Sequence, residues 1–209
     1  MEKRIGILGS GVVGVTLGNG LKDLYSNVMI ANRKAVAVDG WNGEVGTYQD
    51  VAKNSDIIIL AVKGSAAEEI IAGIKDYLPN KTIIDTTNPI ADTPPDEGVL
   101  NYFTDLNESL MERIQQIAPE ANFVKSFSSV GNAFMINPDF KDGTPTMFIC
   151  GNSDKAKAEV IELLKAVGWE AQDMGGVKSA RAIEPLCILW CLPGMLRNEW
   201  SHAFKFLQK

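Results

Sequence analysis

Apolar positions along the chain follow two alternating rhythms. Residues 4–8 (RIGIL) form a short, nearly continuous apolar run, after which the spacing lengthens to Val13, Leu17 and Leu21, one apolar side chain every four residues. The first pattern predicts a strand and the second one face of a helix. The alternation then recurs. Residues 27–31 (NVMIA) and 44–47 predict two further strands, and residues 56–62 (DIIILAV) predict one buried on both faces, as in parallel sheets. Residues 65–77 carry apolar positions at helical spacing until Pro79-Asn80 breaks the pattern, and residues 82–85 (TIID) predict a fifth strand. Residues 123–127, 146–150 and 170–174 predict three more. Between them, Ser109 and Glu112 have the spacing of a capping box, and a helix over 154–167 would end at Gly168. The connection over residues 33–43 is short and contains Asp39-Gly40, so the helix expected there should shrink to a turn or be lost. Strands separated by helices need right-handed crossovers, which gives an α/β fold: a doubly wound, mostly parallel sheet with helices on both faces.

The pattern changes near the C-terminus. Ile183, Leu186, Cys187, Trp190 and Leu196 predict a broadly apolar helix, kinked by Pro185 and ended by Pro193-Gly194. One domain over residues 1–209 is expected, with a helical extension over about 177–207. A helix so apolar must be covered by the chain's own sheet or by a second subunit, and a homodimer is expected. Arg181 and Glu184, at i and i+3, predict a surface ion pair. Cys187 and Cys191 lie one turn apart and read as core residues.

Between the first strand and the first helix stands Gly9-Ser10-Gly11-Val12-Val13-Gly14, a G-x-G-x-x-G match in the strand–turn–helix context that gives the motif its meaning. Gly9 makes the tight turn, Gly11 lets a pyrophosphate approach the backbone, and Gly14 allows close helix packing, as in Rossmann-type dinucleotide sites. The second predicted strand ends in Asn32-Arg33-Lys34, where an NAD-selective site usually places a carboxylate. Two cations suit a 2′-phosphate, so NADP is favoured over NAD. Ligands of such sheets cross the carboxyl ends of the strands, which places Ala61-Val62-Lys63 and Asn88-Pro89 beside the nicotinamide half. Lys125-Ser126-Phe127-Ser128-Ser129-Val130 could line the pocket from the opposite side. The one histidine, His202, has no partner at ligand spacing and reads as structural.

Composition narrows the function. The net charge of −6 provides no basic footprint for nucleic acid. The most apolar stretch, residues 183–196, falls short of the roughly 20 residues of a membrane helix. Three cysteines suit neither a disulfide framework nor a thiolate metal cage, so a cytoplasmic protein without metal is expected. No H-E-x-x-H, G-x-S-x-G or Cys-with-His arrangement occurs. Hydride transfer needs none of these, because the cofactor carries the electrons and the protein supplies positioning.

These residues resemble a known family. IGILGSGVVG at residues 5–14, the Asn32-Arg33 step, DTTNP at 85–89, Lys125-Ser126-Phe127 and MGGVKSARAIEPL at 174–186 are similar to the deazaflavin-dependent NADP reductases and related dinucleotide-binding proteins. The chain is also similar to the cytosolic domain of membrane ferric reductases. The resemblance implies NADPH at the glycine loop and the Asn32-Arg33 turn, with a small-molecule electron acceptor, a deazaflavin or flavin, over the nicotinamide near the terminal segment. Lys63 stands where relatives commonly have Pro, and Ser128 where many have Asn; both border the expected acceptor side, so the acceptor's identity stays open. Two alternatives are a reductase of small carbonyl or imine substrates, with Lys125 or Lys63 as proton donor, and a non-catalytic NADP-sensing module.

Overall fold

The computed structural model describes residues 3–209. Six parallel strands form the main sheet: β1 (Ile5–Leu8), β2 (Val28–Ala31), β3 (Glu44–Gly46), β4 (Ile57–Leu60), β5 (Thr82–Asp85) and β6 (Asn122–Lys125), in the order β3-β2-β1-β4-β5-β6. Period-2 alternation sends Ile5, Ile7, Ile57, Ile59, Ile84 and Val124 to one face and Leu8, Ile58, Leu60, Ile83 and Phe123 to the other. Each face acquires its own core. On the first, α1 (Val12–Leu21) contributes Leu17 and Leu21, and α5 (Asp154–Ala166) contributes Val160, Leu163 and Leu164. On the second lie α2 (Tyr48–Asn54), α3 (Gly64–Ile74) and α4 (Leu110–Ile117). The predicted doubly wound α/β architecture is borne out.

Local predictions fare unevenly. Ser109 and Glu112 do form the capping box of α4, and Gly168, at φ +88°, terminates α5. No helix occupies residues 33–43, as predicted. The helix α2 was missed. Its capping box uses Thr47 with Asp50 in place of Glu or Gln, and only Val51 and Ala52 are buried, too few to display a period. The last two strands, β7 (Thr146–Ile149) and β8 (Glu170–Asp173), pair in parallel with each other as a separate sheet, joined to β6 by one antiparallel bridge between Lys125 and Cys150.

The C-terminal prediction needs two corrections. Pro185 does divide the segment, into α6 (Ala180–Ile183) and α7 (Leu186–Arg197), but α7 runs through Pro193 instead of stopping there. Pro193 has no N–H for the Leu189 carbonyl, and the helix carries this missing bond where Leu189 is exposed and Pro193 half-buried. The helix stops where Asn198 turns left-handed at φ +57°, its N–H returning to the Gly194 carbonyl and that of Glu199 to Pro193. Residues 198–209 are not helical. Trp200 lies against Gly194, and the tail folds back along β7, the Thr146 N–H donating to the Phe204 carbonyl. Cys187, Trp190 and Cys191 on α7 form a third apolar cluster with Leu100, Tyr102 and Phe204.

Candidate functional site

The glycine loop sits at the carboxyl edge of the sheet, between β1 and α1. Gly9 has φ +123°, and a Cβ there would lie 2.1 Å from the Ala61 carbonyl oxygen; a Cβ at Gly14 would lie 2.0 Å from the carbonyl oxygen of Gly9. Both positions exclude side chains for the sake of the fold. Gly11 is different: its φ of −76° and ψ of −179° suit any residue, and a Cβ there would meet no atom within 4 Å. Folding does not require a glycine at this position, which leaves room over Gly11 for a ligand to approach the backbone. Gly11 is also the N-cap of α1, with no side-chain cap and no acidic residue in the first turn, so the positive end of the helix dipole is not neutralised locally. A dinucleotide's pyrophosphate fits this cradle.

One flank of the loop is a cavity of about 460 Å³, bordered by Ser10, Asn32, Arg33, Lys34, Asp39 and Tyr48. Arg33 and Lys34 are exposed and make no ion pair among the described residues. The Asn32 carboxamide, expected at the ligand, turns into its own loop instead: Nδ2 donates to the Val36 carbonyl at 2.7 Å, and Oδ1 accepts from the Lys34 and Val36 N–H groups, each at 3.1 Å.

The other flank is a cavity of about 470 Å³ across the ends of β1, β4 and β5. Gly11, Val12 and Val13 form one wall and Ala61, Val62 and Lys63 another. Thr86, Thr87 and Asn88 form the floor, and Ile90 to Asp92 the far lip. Pro89 stays outside the lining; its carbonyl accepts from the Phe103 N–H and closes the loop. Asn88 Nδ2 donates to the Ser128 carbonyl at 2.7 Å, which fixes the amide and leaves the buried Oδ1 without a partner. A buried acceptor so orphaned costs about 1–3 kcal/mol, a cost that a ligand N–H or O–H would remove. Sequence reasoning missed Gly64, where a Cβ would lie 1.9 Å from the Asn88 carbonyl oxygen; its place directly after Lys63, at a strand-to-helix turn, was the available signal.

At the end of β6 the structure departs from expectation. Lys125 does not reach the cavity. It is fully buried, with Nζ 2.6 Å from Asp85, 2.9 Å from Glu184 and 2.8 Å from the Thr87 carbonyl oxygen. Burial alone would lower the ammonium's pKa, but the two carboxylates outweigh it and the net shift is upward. Asp85 also accepts from the Thr87 N–H and hydroxyl, while Glu184 accepts from the Leu110 and Met111 N–H groups and so caps α4. The predicted Arg181–Glu184 surface pair is therefore absent. Arg181 instead makes a two-pronged contact with Glu112 at 2.8 and 2.6 Å, which with the Ser109 capping bonds draws the Glu112 carboxyl down to about 2. Ser126, Phe127, Ser128, Ser129 and Val130 are likewise buried outside the cavity lining, Phe127 and Val130 in the core of the first sheet face with Met147 and Ile149.

The remaining reactive groups are structural. Burial pushes the Cys150 thiol up to about 12, and the Cys187 thiol also rises, through its contact with Cys191 and through burial. His202 stacks on Trp190 and its Nε2 lies 2.8 Å from the Trp190 carbonyl oxygen. Among the described residues no cluster of His, Cys, Asp and Glu is placed to hold a metal, and no helix is long and apolar enough to cross a membrane.

Residues 4–89 match the family described as NADP oxidoreductase, coenzyme F420-dependent. The chain is 27% identical over 199 residues to the metalloreductase STEAP3 of Rattus norvegicus, covering 92% of this chain and 39% of that protein. It is 27% identical over 139 residues to the F420-dependent NADP reductase of Methanocaldococcus jannaschii, covering 66% of this chain and 61% of that one. The chain thus spans less than two thirds of the length of these curated relatives. A crystal structure of a candidate F420-dependent NADP reductase from Arthrobacter sp. FB24 superposes with a TM-score of 0.89 at 26% identity, over 99% of this chain and 100% of that chain. The resemblance read from the sequence is borne out.

Proposed function

With the resemblance to the F420-dependent NADP reductases as premise, we propose that the chain is an NADP(H)-dependent oxidoreductase passing hydride between NADPH and a flavin- or deazaflavin-like acceptor. The observation that carries the cofactor half is Gly11, a glycine that folding does not need, at the uncapped N-terminus of α1. The Val12 and Val13 N–H groups would hold the pyrophosphate, with Gly9, Ser10 and Gly14 shaping the turn around it. Arg33 and Lys34 would hold the 2′-phosphate. When bound, NADPH supplies a hydride at the nicotinamide, which would lie in the 470 Å³ cavity with Asn88 Oδ1 accepting from its carboxamide or ribose. Ala61, Val62 and Lys63 would border the ring.

The acceptor half rests on how the cavity is lined. Its ionisable lining groups are Lys63 and Asp92, and Lys125 is locked in ion pairs away from it. Reduction of a carbonyl or imine needs a positioned proton donor, and of the two lysines considered for that role only Lys63 borders the cavity. A flavin or deazaflavin ring needs chiefly stacking and exclusion of water. Val12, 65% exposed, and Ile90, 37% exposed, offer apolar surface for it at the cavity rim.

Fluorescence titration with NADPH and NADH, followed by turnover with riboflavin, FMN, 8-hydroxy-5-deazaflavin and a panel of carbonyls, tests the proposal. Tighter NADPH binding and oxidation by a ring acceptor are expected. Turnover with carbonyls alone, abolished by Lys63→Met, would replace the acceptor half; tight binding without any turnover would favour an NADP-sensing module.

A further inference from the structure

We propose that Asn32 acts as a positioning residue for cofactor selectivity: it builds the 2′-phosphate clamp rather than serving as one of its contacts. The inference rests on the NADP reading above and concerns how the loop after β2 achieves it. Within five residues, Asn32 closes the chain on itself. Its Oδ1 accepts from the N–H of Lys34 at 3.1 Å and of Val36 at 3.1 Å, and its Nδ2 donates to the Val36 carbonyl at 2.7 Å. Its main-chain carbonyl accepts from the Ala35 N–H at 3.4 Å, and its own N–H donates to the Gly46 carbonyl at 3.2 Å, tying the loop to the end of β3. The turn thus closed forces Ala35 to φ +49°, a left-handed conformation that a residue with a Cβ adopts at a cost.

Arg33 and Lys34 are the two charged residues inside this closure, and they are exposed at the cavity bordered by Ser10, Asp39 and Tyr48. Without the carboxamide the loop would keep only its two main-chain bonds, and the ligand would have to order the pair further. Ordering two long side chains and their backbone at the moment of binding weakens affinity, and a loop already closed avoids that loss. The loss would fall only on a ligand that uses the clamp, which is the phosphorylated ribose. NADH, lacking the 2′-phosphate, should be indifferent to whether the loop is closed.

Two variants separate scaffold from contact. Asn32→Ala removes the three carboxamide bonds of the closure. Ala35→Val opens it from the other side, because a β-branched residue resists the left-handed conformation while the Asn32 carboxamide remains. Dissociation constants for NADPH, NADH, 2′,5′-ADP and 5′-AMP are measured by titration. Both variants should weaken NADPH and 2′,5′-ADP by about tenfold or more while leaving NADH and 5′-AMP within about twofold. Trypsin should also cleave after Arg33 and Lys34 faster in both than in the wild type, at unchanged melting temperature. A loss confined to Asn32→Ala would make Asn32 a direct ligand and overturn the scaffold role, as would an unchanged NADPH preference in both. A wild type that binds neither dinucleotide would overturn the NADP reading and this inference with it, whereas the other contrary outcomes leave that reading standing.

Discussion

The two ends of the sheet's carboxyl edge are built by opposite means. Around Gly9, Gly11 and Gly14 the site is made of backbone: helix N–H groups, a left-handed turn and a space that no side chain enters. Around Lys125 it is made of charged side chains, with Asp85, Glu184 and the α4 N-terminus packed so closely that none of the three ionic groups is more than 2% exposed. The first end is open, with space over Gly11 for the dinucleotide proposed to bind there. The second is already complete, each charge meeting its partners inside the protein. Loss of one group should therefore damage binding at the glycine loop and damage folding at the lysine.

The largest expected effect is at the closed end. Lys125→Met would leave two buried carboxylates without their cation and should cost about 3–5 kcal/mol in chemical denaturation. Any loss of NADPH binding should then follow the unfolded fraction. Near-native stability would show that the ionic cluster is far less coupled than its geometry implies.

Gly11→Val should give the reverse. With no atom within 4 Å of the added Cβ and a permissive backbone, stability should stay within about 0.5 kcal/mol of wild type. NADPH affinity should nevertheless fall by about 100-fold or more. Gly9→Ala is the control, since its φ and its contact with the Ala61 carbonyl predict a destabilised protein.

The contrast also explains what was legible in the sequence. Backbone devices leave local signatures, so the glycine loop, the strand ends and the Ser109 capping box could be read within a few residues of one another. The ionic cluster joins Asp85, Lys125 and Glu184, separated by 40 and 59 residues, and no spacing rule connects them. Lacking that information, the i,i+3 rule assigned Glu184 to Arg181, whose true partner, Glu112, lies 69 residues away. For the same reason Lys125 was a candidate proton donor until its burial was seen. Asn32 illustrates the intermediate case: its position in the loop was evident, but the direction of its carboxamide was not. Apolar runs likewise identified β7 and β8 as strands without saying that they would pair apart from the main sheet.

Two smaller effects sharpen the comparison. Glu112, drawn down to about 2 by Arg181 and by its capping bonds, has a lower pKa folded than unfolded. Its contribution is complete above its ordinary carboxylate range and is lost as pH falls through about 2, so stability should decline between about pH 5 and 2 by an amount of order 2 kcal/mol. Arg181→Met should remove most of that decline; an unchanged acid profile would place the lability elsewhere. Smallest in energy is Arg33→Glu. It should raise the KM for NADPH by at least about tenfold, with little change for NADH. Equal effects on both would mean that Arg33 does not face the 2′-phosphate.

The most direct test is a crystal structure of the protein grown with NADPH. The pyrophosphate should lie over Gly11 within hydrogen-bonding distance of the Val12 and Val13 N–H groups, with the 2′-phosphate against Arg33 and the nicotinamide in the cavity floored by Thr86, Thr87 and Asn88. A dinucleotide bound elsewhere, or a glycine loop left to solvent at saturating NADPH, would contradict the account.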